Sequence, residues 1–282
     1  MRRRHGIGDV ILTTPVVRAL RAQDPAGEVH VATDHADVFA GNPDVTRVWG
    51  WGRAPGGFDR VLDLDLAYER APRQHVLAAY GAAAGLDLRP WRLSLYPSPA
   101  DLAFAGERVA GDRWVVMNTG CAAADWAGRN WLPERWVAVA DALAADGWRI
   151  AAVGNLANPA VPCAIDLRGR TTFGQLVAVC ATAQLFVGAD SAPMHCAQAM
   201  GTPVVGVFGA VEPAYRLLPD PRFRSAVATR CGCRGCLHVM PAPRWNLTCP
   251  RGRQVCMDWL TAAMVLAEVP LALAGAPAEQ VA

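Results

Sequence analysis

Short apolar runs alternate with stretches of helical spacing along most of this chain, and glycine or proline marks the joints between them. The clearest case is residues 185–213, LFVGADSAPMHCAQAMGTPVVGVFGAVEP. An apolar, β-rich run at 185–187 is followed by Gly188 and Ala189 at a turn. Asp190 and Ser191 supply side-chain oxygens where a helix should begin. Pro193 suits a first helical turn, because its missing N–H has no partner there. The pattern then predicts a helix over 194–200, a stop at Gly201 and a second buried strand over 203–208. A strand–turn–helix–turn–strand unit of this kind aims free N–H groups and a positive helix end at the carboxyl edge of a parallel sheet. Phosphate-bearing ligands sit there in open α/β folds.

The same alternation predicts the rest. Residues 10–23 read as a helix with Pro15 in its first turn. Strands are expected at 28–32, 45–51 and 58–65, a helix at 72–86, a strand at 90–99 and a helix running to Arg108. The series restarts with strands at 114–118 and 148–153 around a helix at 133–146, and a helix capped by Thr171 and Thr172 runs to Ala183. After Pro213 the pattern dissolves into a cysteine-rich segment and a last apolar helix. Two successive βα series predict an α/β protein with two Rossmann-like parallel-sheet domains. Their expected bounds are 1–111, 112–258 (with the cysteine-rich segment 231–256) and a terminal helix and tail over 259–282.

Composition narrows the chemistry. A formal net charge of +2 with no basic stripe argues against a dedicated nucleic-acid binder. The chain contains no lysine, so Schiff-base chemistry and a lysine-bearing P-loop are excluded, and a phosphate clamp must be built from arginine and backbone N–H. The arginines at 2–4 are followed by no apolar signal core, and the tail is interrupted by Glu268 and Pro270. A cytoplasmic location is therefore expected. Nine cysteines without an export signal point to thiols or metal ligands before disulfides.

GIGDVILTTPVVRAL at 6–20, GRNWLPERW at 128–136, DLRGRTTFGQLVAVCATAQLFVGADSAPMH at 166–195 and GTPVVGVFGAVEP at 201–213 resemble glycosyltransferase family 9, the ADP-heptose heptosyltransferases and their relatives. The resemblance implies the two-domain GT-B fold. It further implies inverting transfer of a heptose from ADP-heptose to a hydroxyl on lipopolysaccharide core, another glycan or a protein, with no cofactor needed for catalysis. Contact with the inner membrane face would be peripheral. Family members carry an apolar strand before the GxGD loop; only residues 1–5 precede it here, so that strand is expected to be missing or degraded. Arg129 stands where the family often has a lysine, two residues before Trp131, and the two cations are not equivalent.

Roles follow residue by residue. Glycosyl transfer needs a carboxylate to take the acceptor's proton, and the resemblance matches Asp9 to that base; its alternative is a cap for the following helix. Gly6 and Gly8 would let the loop approach substrate. Ser191, Ala192, Met194 and His195 would offer the helix start to a diphosphate, with Asp190 on sugar hydroxyls. Ser191 could equally be only an N-cap, and His195 a core histidine. Arg129 would neutralise phosphate, or else be a solvated loop charge. Thr119, Gly120 and Cys121 would line the nucleotide site, and Glu212 would hold ribose or serve as a turn acid. Asp63 and Asp65 mimic a DxD metal motif but are read as acceptor-side or structural. Cys233, Cys236, Cys249 and Cys256 have the spacing of a structural Zn or Fe site, with Cys231 and His238 to spare; the alternative is a loop of free thiols. A nucleotide-sugar epimerase of the same architecture and a degenerate binding protein are the rival functions.

Overall fold

The computed structural model describes residues 1–121, 128–239, 249 and 251–275. The chain starts inside a sheet. Arg2 N–H donates to Leu62 O (2.8 Å) and Leu64 N–H to Arg2 O (2.9 Å), while on the other side Arg3 N–H donates to Ala32 O (3.2 Å) and Ala32 N–H to Met1 O (3.0 Å). The first strand, expected to be missing or degraded, is reduced here to an isolated bridge at Arg2, which pairs with Ala32 on one side and Asp63 on the other. Polar side chains hid it. The predicted strand at 58–65 shrinks to that one bridge at Asp63.

After Gly6, left-handed at φ 73°, come α1 (Ile7–Ile11) and α2 (Thr14–Gln23). One helix was expected here; there are two. Pro15 cannot donate to the Ile11 carbonyl, and the hydroxyls of Thr13 and Thr14 turn back to Val10 O (2.8 Å) and Ile11 O (2.9 Å). β1 (His30–Ala32) pairs in parallel with β2 (Arg47–Trp49). α3 (Ala67–Arg70) follows Leu66, a left-handed non-glycine residue, and α4 (Val76–Ala84) is capped by the His75 side chain and closed by Gly85. The strand expected over 90–99 is absent; Ser94 N–H goes to the Thr14 hydroxyl instead (3.1 Å). α5 (Pro99–Arg108) opens with a Ser98/Asp101 capping box.

The second series builds β3 (Trp114–Asn118), α6 (Pro133–Ala145), β4 (Arg149–Val153), β5 (Ile165–Asp166), α7 (Phe173–Thr182), β6 (Leu185–Ala189), α8 (Ala192–Met200), β7 (Val204–Phe208) and β8 (Phe223–Val227). All six strands pair in parallel in the order β5-β4-β3-β6-β7-β8. This is the doubly wound order, and its direction reverses between β3 and β6, where ligands bind at the strands' carboxyl ends. The periodicity did not predict β8. It is an edge strand with half-buried Arg224 and Ser225 side by side in it, and its cover comes from a distant helix. α9 (Val255–Asp258) is a single turn, and α10 (Ala262–Ala274) packs on β7, β8 and α6. β3, β6 and β7 are buried throughout, and a fully buried Val, Leu or Phe contributes roughly 1.5–3 kcal/mol. One face of this sheet shares a continuous apolar core with the N-terminal half, from Val10 and Leu12 through Phe186 and Phe208 to Leu217. α5 reaches across to pack on α7.

Candidate active site

A cavity of about 430 Å³ opens at the β3/β6 switch, walled on one side by Ile7, Gly8, Asp9 and Tyr68 and on the other by the ends of β3 and β6 and the start of α8. The β6–α8 turn was readable from sequence almost to the residue, and the structure adds what its side chains do. Ser191 does not cap α8 with its hydroxyl, as was expected. That hydroxyl donates to Asn118 Oδ1 (2.7 Å) and ties the helix start to the end of β3. Ser191, Ala192 and Pro193 line the cavity. Met194 does not. Its side chain is fully buried against the sheet and its N–H already donates to Ser191 O (3.1 Å), so its expected part in substrate binding is withdrawn. Helical spacing puts it on the core face.

Asp190 is buried, and among the described residues neither carboxylate oxygen completes a hydrogen bond. Arg129 Nη2 stands 3.1 Å from Oδ2 and also donates to the Asp190 carbonyl. Burial alone would raise the Asp190 pKa, but the Arg129 charge, then that of Arg216, outweighs it and holds the carboxyl below its usual range. Arg129 reaches the cavity with part of its charge already answered. His195 is pushed down to about 4 by burial, assisted by Arg216 and Arg129 against the opposing pull of Asp190. It is therefore neutral near pH 7. Its Nδ1 faces the Gln198 amide nitrogen at 3.2 Å, and its ring also backs onto the GxGD loop. A Cβ on Gly8 would lie 3.1 Å from His195 Cδ2 and 3.6 Å from Ala192 Cα. Gly8 is needed for this close approach.

Asp9 comes to the same cavity from the N-terminal side. Arg3 Nη2 lies 3.2 Å from its Oδ2, and the same guanidinium makes a two-pronged pair with Glu69 (2.6 and 3.1 Å). Burial raises the Glu69 pKa against the opposing effect of Arg3. A side chain at Gly6, beside its left-handed backbone, would collide with the Asp9 carboxylate.

Other expected residues divide. Gly120 and Cys121 line the cavity, and the Cys121 N–H donates to Asn130 Oδ1 (3.2 Å). Thr119 is buried outside it and bonds Pro159 O (2.7 Å). Glu212 also lies outside it; its carboxylate stands 3.6 Å from Arg234 and its N–H donates to His238 Nε2 (3.0 Å). Asp63 pairs with Arg2 (2.6 Å) and Asp65 accepts the Arg4 N–H (3.1 Å), which makes them structural. Sequence reasoning missed Tyr68, Asn118, Asn158, Thr172 and Arg216, which also line the site. Only the Thr172 capping signal marked one of them beforehand.

The cysteine-rich segment is joined to the loop after β7 by Gly235 N–H to Gly209 O (3.2 Å) and Leu237 N–H to Ala210 O (2.9 Å). Cys231 and Cys233 bring their sulfurs to 3.4 Å. Burial, with Cys231 and Cys236 nearby, pushes the Cys256 thiol up to about 12. Among the described residues no three Cys, His, Asp or Glu side chains are gathered to hold a metal. Burial, with Cys233, Cys249 and Cys231 nearby, raises the Cys236 thiol as well, so the segment brings the expected ligands Cys233, Cys236, Cys249 and Cys256 into one neighbourhood together with Cys231.

Comparison with known proteins fits this geometry. Lipopolysaccharide heptosyltransferase 3 of Escherichia coli is 37% identical over 94 residues, which span 29% of this chain and 28% of that relative. The protein of the same name from strain K12 is 50% identical over 46 residues, 16% of this chain and 13% of its own length. Among solved structures, a glycosyl transferase family 9 protein from Veillonella parvula superposes with a TM-score of 0.72 at 16% identity, covering 98% of both chains. ADP-heptose lps heptosyltransferase II of E. coli gives 0.67 at 16% identity over 97% of this chain and 98% of its own. The iron-containing dodecameric glycosyltransferase TibC from enterotoxigenic E. coli gives 0.70 at 20% identity over 95% and 74%. At these identities the structures show the fold, which is the GT-B arrangement expected from sequence. The family model described as glycosyltransferase family 9 (heptosyltransferase) matches residues 74–229, from α4 to just past β8 and including the switch point, so this chain belongs to glycosyltransferase family 9.

Proposed function

We propose that the protein transfers a heptose or related sugar from a nucleotide-sugar donor, of which ADP-heptose is the first choice, to an acceptor hydroxyl with inversion at the anomeric carbon. The observation that carries this reading is the meeting of Asp9 and the start of α8 at one cavity. The donor's diphosphate lies along Ser191 and Ala192, where N–H groups and the helix dipole favour negative charge, with Arg129 beside it. The acceptor oxygen attacks the anomeric carbon from the opposite face, its proton passes to the Asp9 carboxylate, and the nucleoside diphosphate leaves. One displacement needs one base. Asp9 retains 24% side-chain exposure, against 3% for Asp190, which supports the assignment of that task to Asp9.

Residues 1–111 form the acceptor side in this reading and 112–258 the donor side. The names of the relatives favour lipopolysaccharide core as acceptor over another glycan or a protein. Among the described residues no helix is long and apolar enough to cross a membrane, and the protein meets its acceptor peripherally at the cytoplasmic face. Donor charge is answered by Arg129 and backbone N–H, so catalysis is assigned no cofactor. The test adds ADP-heptose and acceptor to the purified chain and follows release of ADP and the configuration of the new bond. Donor turnover without acceptor would indicate epimerisation instead, and retention at the anomeric carbon would remove the single-displacement mechanism.

A further inference from the structure

Three arginines face or back this cavity, and they are not equivalent. Arg3 is shared between Asp9 and Glu69, and Arg129 is paired with Asp190. Arg216, just beyond the family's GTPVVGVFGAVEP block, is 5% exposed and lines the cavity. No carboxylate among the described residues lies within 4.0 Å of it. Among the described residues its Nη1 donates to the neighbouring Tyr215 carbonyl alone (3.2 Å). A buried guanidinium without an acid is costly unless something else completes it.

The position of Arg216 is nonetheless fixed. Its carbonyl accepts the Gln198 amide (3.5 Å), whose oxygen accepts the Leu218 N–H (2.7 Å), so buried Gln198 fastens residues 216–218 to α8. Its guanidinium carbon lies 4.8 Å from the centre of the Tyr68 ring, and that of Arg3 lies 5.3 Å from the same ring. One tyrosine from the N-terminal half thus stands between the arginine behind Asp9 and the arginine of the donor side, with cation–π contact to each. Asp190 faces Arg129 at 3.1 Å, and among the described residues neither of its buried carboxylate oxygens completes a hydrogen bond.

We infer that Arg216, held by Gln198 and Tyr68, is the anchor for the diphosphate of the donor, with Arg129 in a supporting place because Asp190 already claims it. This rests on the nucleotide-sugar reading above and names the group that recognises its charged part. A planar guanidinium with free N–H groups suits two phosphate oxygens at once. The leaving nucleoside diphosphate gains charge as the bond breaks, so the same residue supports departure as well as binding.

The experiment measures equilibrium binding of ADP, AMP and adenosine to the full chain and to Arg216→Gln, Arg216→Lys and Tyr68→Leu. Arg216→Gln is expected to weaken ADP by about 10- to 100-fold, AMP less and adenosine not at all. Arg216→Lys should restore part of the loss, and Tyr68→Leu, which removes the ring against Arg216, should weaken ADP in the same direction by a smaller factor. The salt dependence of ADP binding should flatten in Arg216→Gln. Should ADP bind equally to the parent and to Arg216→Gln, the anchor is elsewhere and the transferase reading stands. Equal loss of adenosine would make Arg216 structural and overturn the inference. A parent chain that binds no nucleoside diphosphate would end both.

Discussion

Asp9 and Asp190 invite comparison, because each follows a strand of its own half and each stands close to an arginine, at 3.2 and 3.1 Å. Their surroundings differ. Asp9 competes with Glu69 for Arg3 and keeps an open side, whereas Asp190 is sealed, with Arg129 as its nearest cation. A carboxylate with a divided partner and a solvent-reachable oxygen can accept a proton and give it up again. A carboxylate closed in with its own cation serves to hold that cation, and the loop that carries it, in place.

Breaking the exposed member should affect turnover more than folding. Asp9→Asn is expected to lower kcat by about 10²- to 10⁴-fold while leaving donor affinity and the melting temperature near those of the parent; retained turnover would take the base assignment away. Breaking the sealed member should do the opposite first. Asp190→Ala takes a buried carboxylate away from Arg129 and should cost about 3–5 kcal/mol in urea unfolding, and adding Arg129→Met should recover part of that loss.

The pH dependence of stability sharpens the contrast, since a buried histidine borders Asp190. His75, His195 and His238 are each held down to about 4, chiefly by burial. The unfolded chain then takes up protons that the folded chain refuses. Stability should be complete above about pH 6.5 and fall as pH drops toward 4, by about 1–3 kcal/mol per histidine. The depressed Asp190 carboxyl adds its own loss only below about pH 4, where the unfolded carboxylate would already be protonated. His195→Gln should flatten the first limb, as read by thermal melts across the range. The mildest change is Glu69→Gln, which gives Arg3 to Asp9 alone. The rate at neutral pH should then change by about a few-fold. An unchanged rate would mean that Glu69 does not act on Asp9 through Arg3.

The parts of the site that were readable beforehand are local in sequence. Turn glycines, Pro193, the Thr172 cap and the apolar runs of β3, β6 and β7 each announce themselves within a few residues, and so the switch point was placed correctly. The parts that were missed depend on partners far along the chain. Residues 1–3 read as polar because Arg3 spends its charge on Asp9 and on Glu69, 66 positions away. β8 needs α10 as its cover, and Arg216 acquires meaning only beside Tyr68.

The apolar core that runs unbroken from Val10 through Phe208 to Leu217 bears on how ligands enter and leave. Swinging the halves widely apart would wet that shared interior and the α5–α7 contact, at roughly 25 cal/mol for each Å² uncovered. Exchange of substrate and product is therefore expected to rely on small displacements of the cavity's own rim, such as the short α3 turn bearing Tyr68, while the bulk of the two halves stays joined.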